Sequence, residues 1–140
     1  MSDYSDLPVC QFAFPGPLRD RLVAAVLAGE KTSTTGLLSD YEFEDEPLPS
    51  AGDRMVVVDS ADRPVAVIEV TEVRTLPLAD VEWEHVRDEG EGHASIAAWR
   101  AGHEAYWHGP DMRAWRGDPD FRVDDTTIVV AERFRLVAAL

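Results

Sequence analysis

Residues 27–35, LAGEKTSTT, end a predicted helix and place a lysine at the start of a run of hydroxyl side chains. Upstream, apolar residues recur at helical spacing from Leu18 to Val26, and Pro17 suits a first helical turn. Gly29 can end this helix in a left-handed conformation. Hydroxyl side chains bond both backbone and ligands. We therefore expect Lys31 to be a cation or a base in a site, or else a solvated residue of a polar turn.

The composition is that of one globular domain. With 140 residues the chain can bury a core without a metal or a disulfide, and its one cysteine, Cys10, cannot form a disulfide within the chain. We expect residues 1–10 to be a loose lead-in and residues 11–140 to be one domain. No stretch reaches transmembrane length and no basic start precedes an apolar run. We therefore expect a cytoplasmic protein with no membrane partner.

The charge is strongly acidic. Thirteen Lys and Arg residues against 27 Asp and Glu residues give a net charge of -14. Such a field repels nucleic acid at long range and lacks the basic footprint typical of an RNA-binding protein, although a local basic groove is compatible with it. The simplest interpretation is that the acidity serves solubility.

Two β-branched runs predict an antiparallel hairpin, with strands at 54–59 and 65–73 joined by a polar turn. On the second strand Glu69 shares a face with two valines. It is therefore either a partnered carboxylate in the interior or an edge residue in water. Residues 36–53 contain acidic residues and prolines and are predicted to form an irregular loop.

The helical pattern returns from Pro77. It predicts a short acidic helix ending at Gly90 and a second helix from about Ala94. One face of the second helix carries the residues Ile96, Trp99, His103 and Tyr106. We expect Trp99 to be buried in the core and His103 to be a half-buried histidine with satisfied hydrogen bonds. Residues 108–120 are predicted to be a loop, and 121–123 and 126–136 to be the closing strands. Short strands interrupted by helices predict an α+β domain.

The order of these motifs resembles the ASCH family, whose signature is Gly-x-Lys-x-x-Thr after a short helix. Here the signature residues are Gly29, Lys31 and Thr34. Further segments resemble the family in the same order: Leu48-Pro49 with Gly52-Asp53, residues 67–73, residues 89–103, and Glu132-Arg133-Phe134. The resemblance implies a small PUA-like β-barrel of mostly antiparallel strands with two or three packed helices and a cleft lined by the lysine motif.

Some ASCH proteins that the chain resembles are amidohydrolases that remove the acetyl group of N4-acetylcytidine with a lysine, a threonine and a glutamate. The matching positions are Lys31, Thr34 and Glu91, with Glu89 as the second choice of carboxylate. A hydroxyl becomes an effective nucleophile when an adjacent base takes its proton. A lysine among hydroxyls can be that base, and a glutamate can orient it or relay the proton to the leaving amine. Glu91 is equally well explained as a carboxylate at a helix N-terminus.

The residues beside these three are the expected ligand contacts: Thr32, Ser33, Thr35, Tyr41, Glu89 and His93. Tyr41 is alternatively a tether between the predicted loop and the core.

Other ASCH members resemble nucleases for single-stranded RNA, and in their segment His93 stands where an aspartate is expected. His93 is a candidate acid or base, or an exposed histidine at a helix start. No metal site or cofactor is predicted, since the four histidines lack cysteine partners and compact spacing; a ribonuclease would admit a divalent metal held by carboxylates. A noncatalytic RNA-binding or nucleotide-binding module is the third possibility. The expected ligand is thus a modified nucleoside, a nucleotide or single-stranded RNA.

Overall fold

A computed structural model describes Tyr4 and residues 6–140. The described residues form a five-stranded sheet, whose strands in chain order are β1 (Val9–Cys10), β2 (Ser33–Leu37), β3 (Arg54–Val58), β4 (Pro64–Pro77) and β5 (Ile128–Ala139). Across the sheet the order is β1-β3-β4-β5-β2. Only the β1–β3 pair is parallel among these ladders.

Five helices pack with this sheet. They are α1 (Pro17–Leu27), α2 (Leu38–Phe43), α3 (Trp83–Asp88), α4 (Ile96–Trp107) and α5 (Pro110–Arg116), and a 3-10 turn spans Leu78–Asp80. The predicted α+β class with mostly antiparallel strands is confirmed, with five helices in place of two or three. No helix within the described part of the chain is long and apolar enough to cross a bilayer.

Two buried clusters hold the elements together. The first joins α1 to the middle of the sheet and contains Phe12, Leu22, Val23, Val26, Val57, Ala66, Ile68 and Phe134. The second joins the three later helices to β2 and β5 and contains Leu37, Leu78, Val81, Val86, Trp99, Trp107, Met112, Val123 and Val129. The lysine motif follows α1 and opens β2, so it lies where the two clusters meet the edge of the sheet.

The hairpin prediction is confirmed, and β4 continues beyond it to Pro77. Because β4 pairs with β3 and β5, Glu69 lies on a central strand and is neither an edge residue nor an interior one. Its carboxylate accepts from Arg54 Nε at 3.0 Å and from Arg135 Nε at 3.1 Å. These two arginines hold the pKa of Glu69 below its usual range.

The secondary-structure predictions for three segments are wrong. Gly36 and Leu37 extend β2 because they pair with Val130 and Val129 of β5, and the next six residues form α2 instead of a loop. Residues 110–116 form α5, which starts at Pro110 and ends before Gly117 in the left-handed conformation, both common helix boundaries. Residues 121–123 lie outside any strand.

The expected loose lead-in, residues 1–10, includes the short strand β1. Val9 and Cys10 lie beside Val56 and Val57 of β3 in parallel register. The part of this expectation that concerns residues 1–3 and 5 lies outside the described residues.

Candidate functional site

Lys31 is buried, with 2% of its surface exposed, so it is not a solvated lysine of a polar turn. Gly29, at φ +77°, turns the chain after α1 and directs it toward β2. The Nζ of Lys31 donates to the carbonyl oxygens of Ser33 at 2.9 Å and Glu89 at 3.4 Å. It lies 3.7 Å from the carboxylate Oε1 of Glu89 and 5.6 Å from the ring centroid of Phe12. The lysine is therefore held by fixed acceptors inside the domain.

Glu89 directly follows α3 and is the carboxylate that meets Lys31. Its Oε2 accepts from Trp99 Nε1 at 2.5 Å and from Thr35 Oγ1 at 3.0 Å, and its Oε1 lies 3.3 Å from His103 Nε2. Burial acts to raise the pKa of Glu89, but the hydrogen bond from His103 and the charge of Lys31 outweigh it, so the pKa lies well below its usual range. Glu89 is thus the centre of a buried polar network.

The end of α3 is locked to the lysine motif through the backbone. The amide of Thr32 donates to the carbonyl of Asp88 at 2.8 Å, and the hydroxyl of Ser33 donates to the carbonyl of His85 at 2.8 Å. Gly90 has φ +68°, and a Cβ on it would lie 2.3 Å from the carbonyl oxygen of Glu30. Only glycine permits this approach, which brings the carboxylate segment against Lys31.

Thr35 and His85 complete the network around Glu89. The hydroxyl of Thr35 lies 2.7 Å from His85 Nε2; because it donates to Glu89, it accepts from the imidazole. Burial lowers the pKa of His85 and favours its neutral form. Sequence reasoning did not select His85, although it stands four residues before Glu89 on a predicted helix and so shares a face with it.

Thr34 lies on the opposite face of β2 from Ser33 and Thr35, directly across from Glu132 of β5. Glu132 is buried and accepts from the hydroxyl of Tyr41 at 3.1 Å. Burial raises the pKa of Glu132, more than Tyr41 and Lys31 lower it. Thr34 makes no side-chain hydrogen bond within the described part of the chain, so its hydroxyl is free for a ligand.

A cavity of about 1650 Å³, wide and open to solvent, borders most of these groups but not His85. The predicted site residues that line it are Lys31, Thr34, Thr35, Tyr41, Glu89, Glu91 and His93. The other two, Thr32 and Ser33, do not line it. Their hydroxyls bond to main-chain carbonyls of α3, which gives them a structural role in the locked backbone.

A second group of side chains, from the loop between α3 and α4 and from α4 itself, borders Glu89. Glu91, His93 and His103 each present a ligand atom, and these atoms lie within 4.8 Å of one another. Desolvation raises the pKa of Glu91, and one of its oxygens, Oε2, is buried without a hydrogen-bond partner among the described residues. Burial lowers the pKa of His93. His103 was expected to be a half-buried histidine with its hydrogen bonds satisfied; it is half-buried, its Nδ1 bonds the Trp99 carbonyl, and it also lines this cavity.

Comparisons with known proteins agree with this architecture. A family model described as the ASCH domain matches residues 9–138. The chain is similar to the crystal structure of protein EF3133 from Enterococcus faecalis V583, with a TM-score of 0.81 and 25% identity over 94% of this chain and 77% of that one. It is also similar to an ASCH domain from Lactobacillus crispatus JV V101, with a TM-score of 0.80 and 24% identity over 96% and 81%.

An ASCH protein from Zymomonas mobilis is more distantly similar, with a TM-score of 0.51 and 12% identity over 86% of this chain and 67% of that one. No curated protein matches the sequence. The family model spans nearly the whole chain and includes both the lysine motif and the Glu89 segment that it meets. The chain therefore belongs to the ASCH domain family, a family linked to RNA-related and nucleotide-related functions.

Proposed function

We propose that this protein is a hydrolase that removes an acyl group from a small modified cytidine, of which N4-acetylcytidine is the simplest example. The observation that carries the proposal is the buried Lys31 at a cavity that also presents the free hydroxyl of Thr34. Amide hydrolysis needs a nucleophile and a group that moves a proton, and these two residues supply that pair.

The hydrogen bonds of Lys31 suit a proton carrier. Two of its N–H groups are taken by the main-chain carbonyls of Ser33 and Glu89, and the Glu89 carboxylate, at 3.7 Å, lies beyond hydrogen-bond distance. The third position of the nitrogen is then free to hold either a proton or a lone pair. After the lysine takes a proton, the nearby carboxylate stabilises the resulting ammonium.

The proposed reaction has two stages. Thr34 Oγ1 attacks the acyl carbon while its proton passes to Lys31 Nζ. The bond from the acyl carbon to N4 then breaks, and Lys31 returns the proton to the departing amine of cytidine. Water hydrolyses the acyl-threonine to release the carboxylic acid and restore the hydroxyl. In this scheme the carboxylate partner of the lysine is Glu89, the carboxylate that lies against it.

The charge of the protein supports a small ligand. A net charge of -14 disfavours a polyanion, whereas a neutral nucleoside needs no basic surface. The cavity has room for a nucleoside.

The test is to incubate the protein with N4-acetylcytidine and follow cytidine and acetate by chromatography. Lys31 is the only lysine of the chain, so protein labelled with 15N-lysine gives one side-chain nitrogen signal. A signal that moves between the ammonium and amine ranges on addition of the product supports the proton carrier. Absence of cytidine release by the folded protein contradicts the hydrolase.

A second candidate is a site that binds a nucleotide or RNA without catalysis. It is favoured by the open position on Lys31 Nζ, which a phosphate oxygen can occupy when the lysine is charged. Here the 5′-monophosphate of cytidine binds far more tightly than the nucleoside, and affinity falls with salt. Offering a labelled single-stranded RNA in the same series separates binding from ribonuclease activity.

A further inference from the structure

We propose that Glu91, His93 and His103, named here the EHH cluster, bind a divalent transition-metal ion of the zinc type. This inference goes beyond the proposed function and does not depend on it. The three ligand atoms lie within 4.8 Å of one another, although His103 is on α4 and the other two precede that helix. Two imidazoles and one carboxylate are a donor set that zinc accepts in three-ligand sites, where water fills the remaining position.

His103 is oriented as a metal ligand usually is. Its Nδ1 lies 3.0 Å from the carbonyl oxygen of Trp99, and since a carbonyl only accepts, Nδ1 carries a hydrogen. Nε2 lies 3.3 Å from Glu89 Oε1 and donates to it, so a metal ion would take the place of that proton and leave Glu89 as a neighbouring carboxylate. A metal-binding histidine characteristically donates its other N–H to a backbone carbonyl or a carboxylate, which fixes the ring.

Glu91 supplies a buried carboxylate oxygen. Its Oε2 receives no hydrogen bond from an N–H or O–H group of any described residue, although the Glu89 carboxylate lies close enough to share a proton with Glu91. Buried carboxylate oxygens are nearly always bonded, so an orphaned one calls for an explanation. A cation held with His93 and His103 gives that oxygen a partner.

The imidazole of His93 packs against the backbone of α4 at Gly102. A Cβ on Gly102 would lie 3.2 Å from His93 Cε1 and 3.8 Å from its Nε2. The bare backbone at Gly102 therefore leaves the space that the imidazole fills. Its distance from His103 is 6.2 Å between ring centroids.

The charges around the EHH cluster are compatible with a cation. Glu89 Oε1 is 3.3 Å from His103 Nε2 and adds negative charge, while the charge of Lys31 on the far side of Glu89 opposes it. Bonds of about 2.0–2.1 Å in a tetrahedral site place ligand atoms roughly 3.3 Å apart, so the side chains must close by about 1.5 Å at most. Gly90 is held against the Glu30 carbonyl, so this adjustment falls to the side chains and to Gly92, where the backbone has open space around it. All three residues line the cavity.

The experiment is a titration of the chelator-treated full chain with Co²⁺, followed by calorimetry and by visible absorption, and then with Zn²⁺ in competition. We expect one equivalent of Co²⁺ with the absorption of a low-coordinate site, displaced by Zn²⁺. Glu91→Gln keeps the shape of the side chain and His93→Ala removes a ring; each is expected to weaken binding at least about 100-fold. Glu84→Gln, on the exposed side of α3, is the matched control and is expected to bind as the parent does.

Gly102→Ala tests the geometry without removing a ligand atom. Its methyl group displaces His93, so we expect affinity to fall about tenfold, whereas the melting temperature stays the same or rises because alanine is the better helix former. One equivalent bound equally well by the parent, Glu91→Gln and His93→Ala overturns the proposal, as does failure of the folded parent to bind one equivalent of either ion. Hydrolysis of N4-acetylcytidine is not a readout here, so failure of the enzyme proposal leaves these isotherms unchanged.

Discussion

The indole nitrogen of Trp99 donates to Glu89 Oε2 at 2.5 Å, and neither side chain is more than 1% exposed. A helix residue predicted to be plain core thus also holds the central carboxylate of the site. Trp99→Ala removes a large ring from the core and a donor from a buried carboxylate. We expect a loss of about 3–5 kcal/mol in the free energy of unfolding from the cavity, and about 1–3 kcal/mol more from the unpaired oxygen.

Trp99→Phe separates the two contributions, since it keeps most of the ring and removes the N–H. It is expected to cost about 1–3 kcal/mol, measured by urea unfolding. A Phe variant as stable as the parent would show that this hydrogen bond contributes nothing net.

Lys31→Arg tests the proton-carrier role. Arginine keeps the positive charge but does not lose its proton near neutral pH. We expect turnover of N4-acetylcytidine to fall by at least about 100-fold, the usual contribution of general acid–base catalysis, while the affinity for cytidine changes little. Arg122→Lys, an exchange of the same two residue types at an exposed position, serves as the control. Turnover that survives in Lys31→Arg removes the proton-carrier mechanism.

Thr34 and Thr35 are neighbours with opposite expected phenotypes. Thr34→Val removes a hydroxyl that has no partner within the described residues, so we expect it to be as stable as the parent but to lose turnover. Thr34→Ser keeps a hydroxyl and is expected to retain both the stability and the turnover of the parent. Thr35→Val removes the hydroxyl that His85 Nε2 bonds and one of the donors to Glu89 Oε2, and is expected to cost about 1–3 kcal/mol. Unfolding curves and product release are measured on all three; normal turnover in Thr34→Val would exclude it as the nucleophile.

Gly90→Ala is expected to be among the most damaging single-methyl changes. The added Cβ would lie 2.3 Å from the carbonyl oxygen of Glu30, at a residue with φ +68°. Gly117→Ala is the matched control, because Gly117 has φ +67° and nothing within 4 Å of the added atom. The control should lose about 1–2 kcal/mol from backbone strain alone, and Gly90→Ala distinctly more. Equal losses in thermal or urea unfolding would show that the close backbone approach is not maintained in solution.

The raised pKa of Glu132 determines how the free energy of unfolding should change with pH. Its pKa in the folded protein is raised above the ordinary 4.5 by burial, so the native state retains a proton that the unfolded chain releases. Its favourable contribution is therefore complete below the unfolded pKa and is lost as pH rises through the native pKa. Its titratable neighbours are Tyr41, Lys31 and Cys10.

Glu132→Gln cannot ionise and still accepts from the hydroxyl of Tyr41. We expect its free energy of unfolding, relative to the parent, to increase as pH is raised from about 4 to 7. Urea titrations at several pH values measure this difference, and a difference independent of pH would contradict the prediction.

The sequence predicted the parts of the fold that local patterns determine. The helix before Gly29, the hairpin of β3 and β4 and the helix carrying Trp99 each show a clear period and a clear boundary. Residues 36–37 were missed because their strand character comes from pairing with β5, about 90 residues away in the chain, not from their own propensity. The missed α5 had both of its boundary signals, Pro110 and Gly117, within a charged segment that suggested a loop.

The sequence indicated which residues belong to the candidate site better than it indicated how they are arranged. The family signature selected Lys31 and Thr34, and the carboxylate segment was narrowed to residues 89 and 91. The turn at Gly90 and the indole of Trp99 determine which of the two glutamates lies against the lysine. The spacing of residues in the sequence reveals neither of these contacts. The EHH cluster likewise arises from a loop folding back on a helix, which no compact histidine spacing signals.

The hydrogen bond from Lys31 to the Glu89 carbonyl joins residues 58 positions apart. Because such a contact requires a long stretch of chain to be closed, we expect it to form late in folding. We therefore expect ligand binding to recover later in refolding than helical circular dichroism does. A chain that lacks either the lysine motif or the Glu89 segment should not bind a ligand at this site.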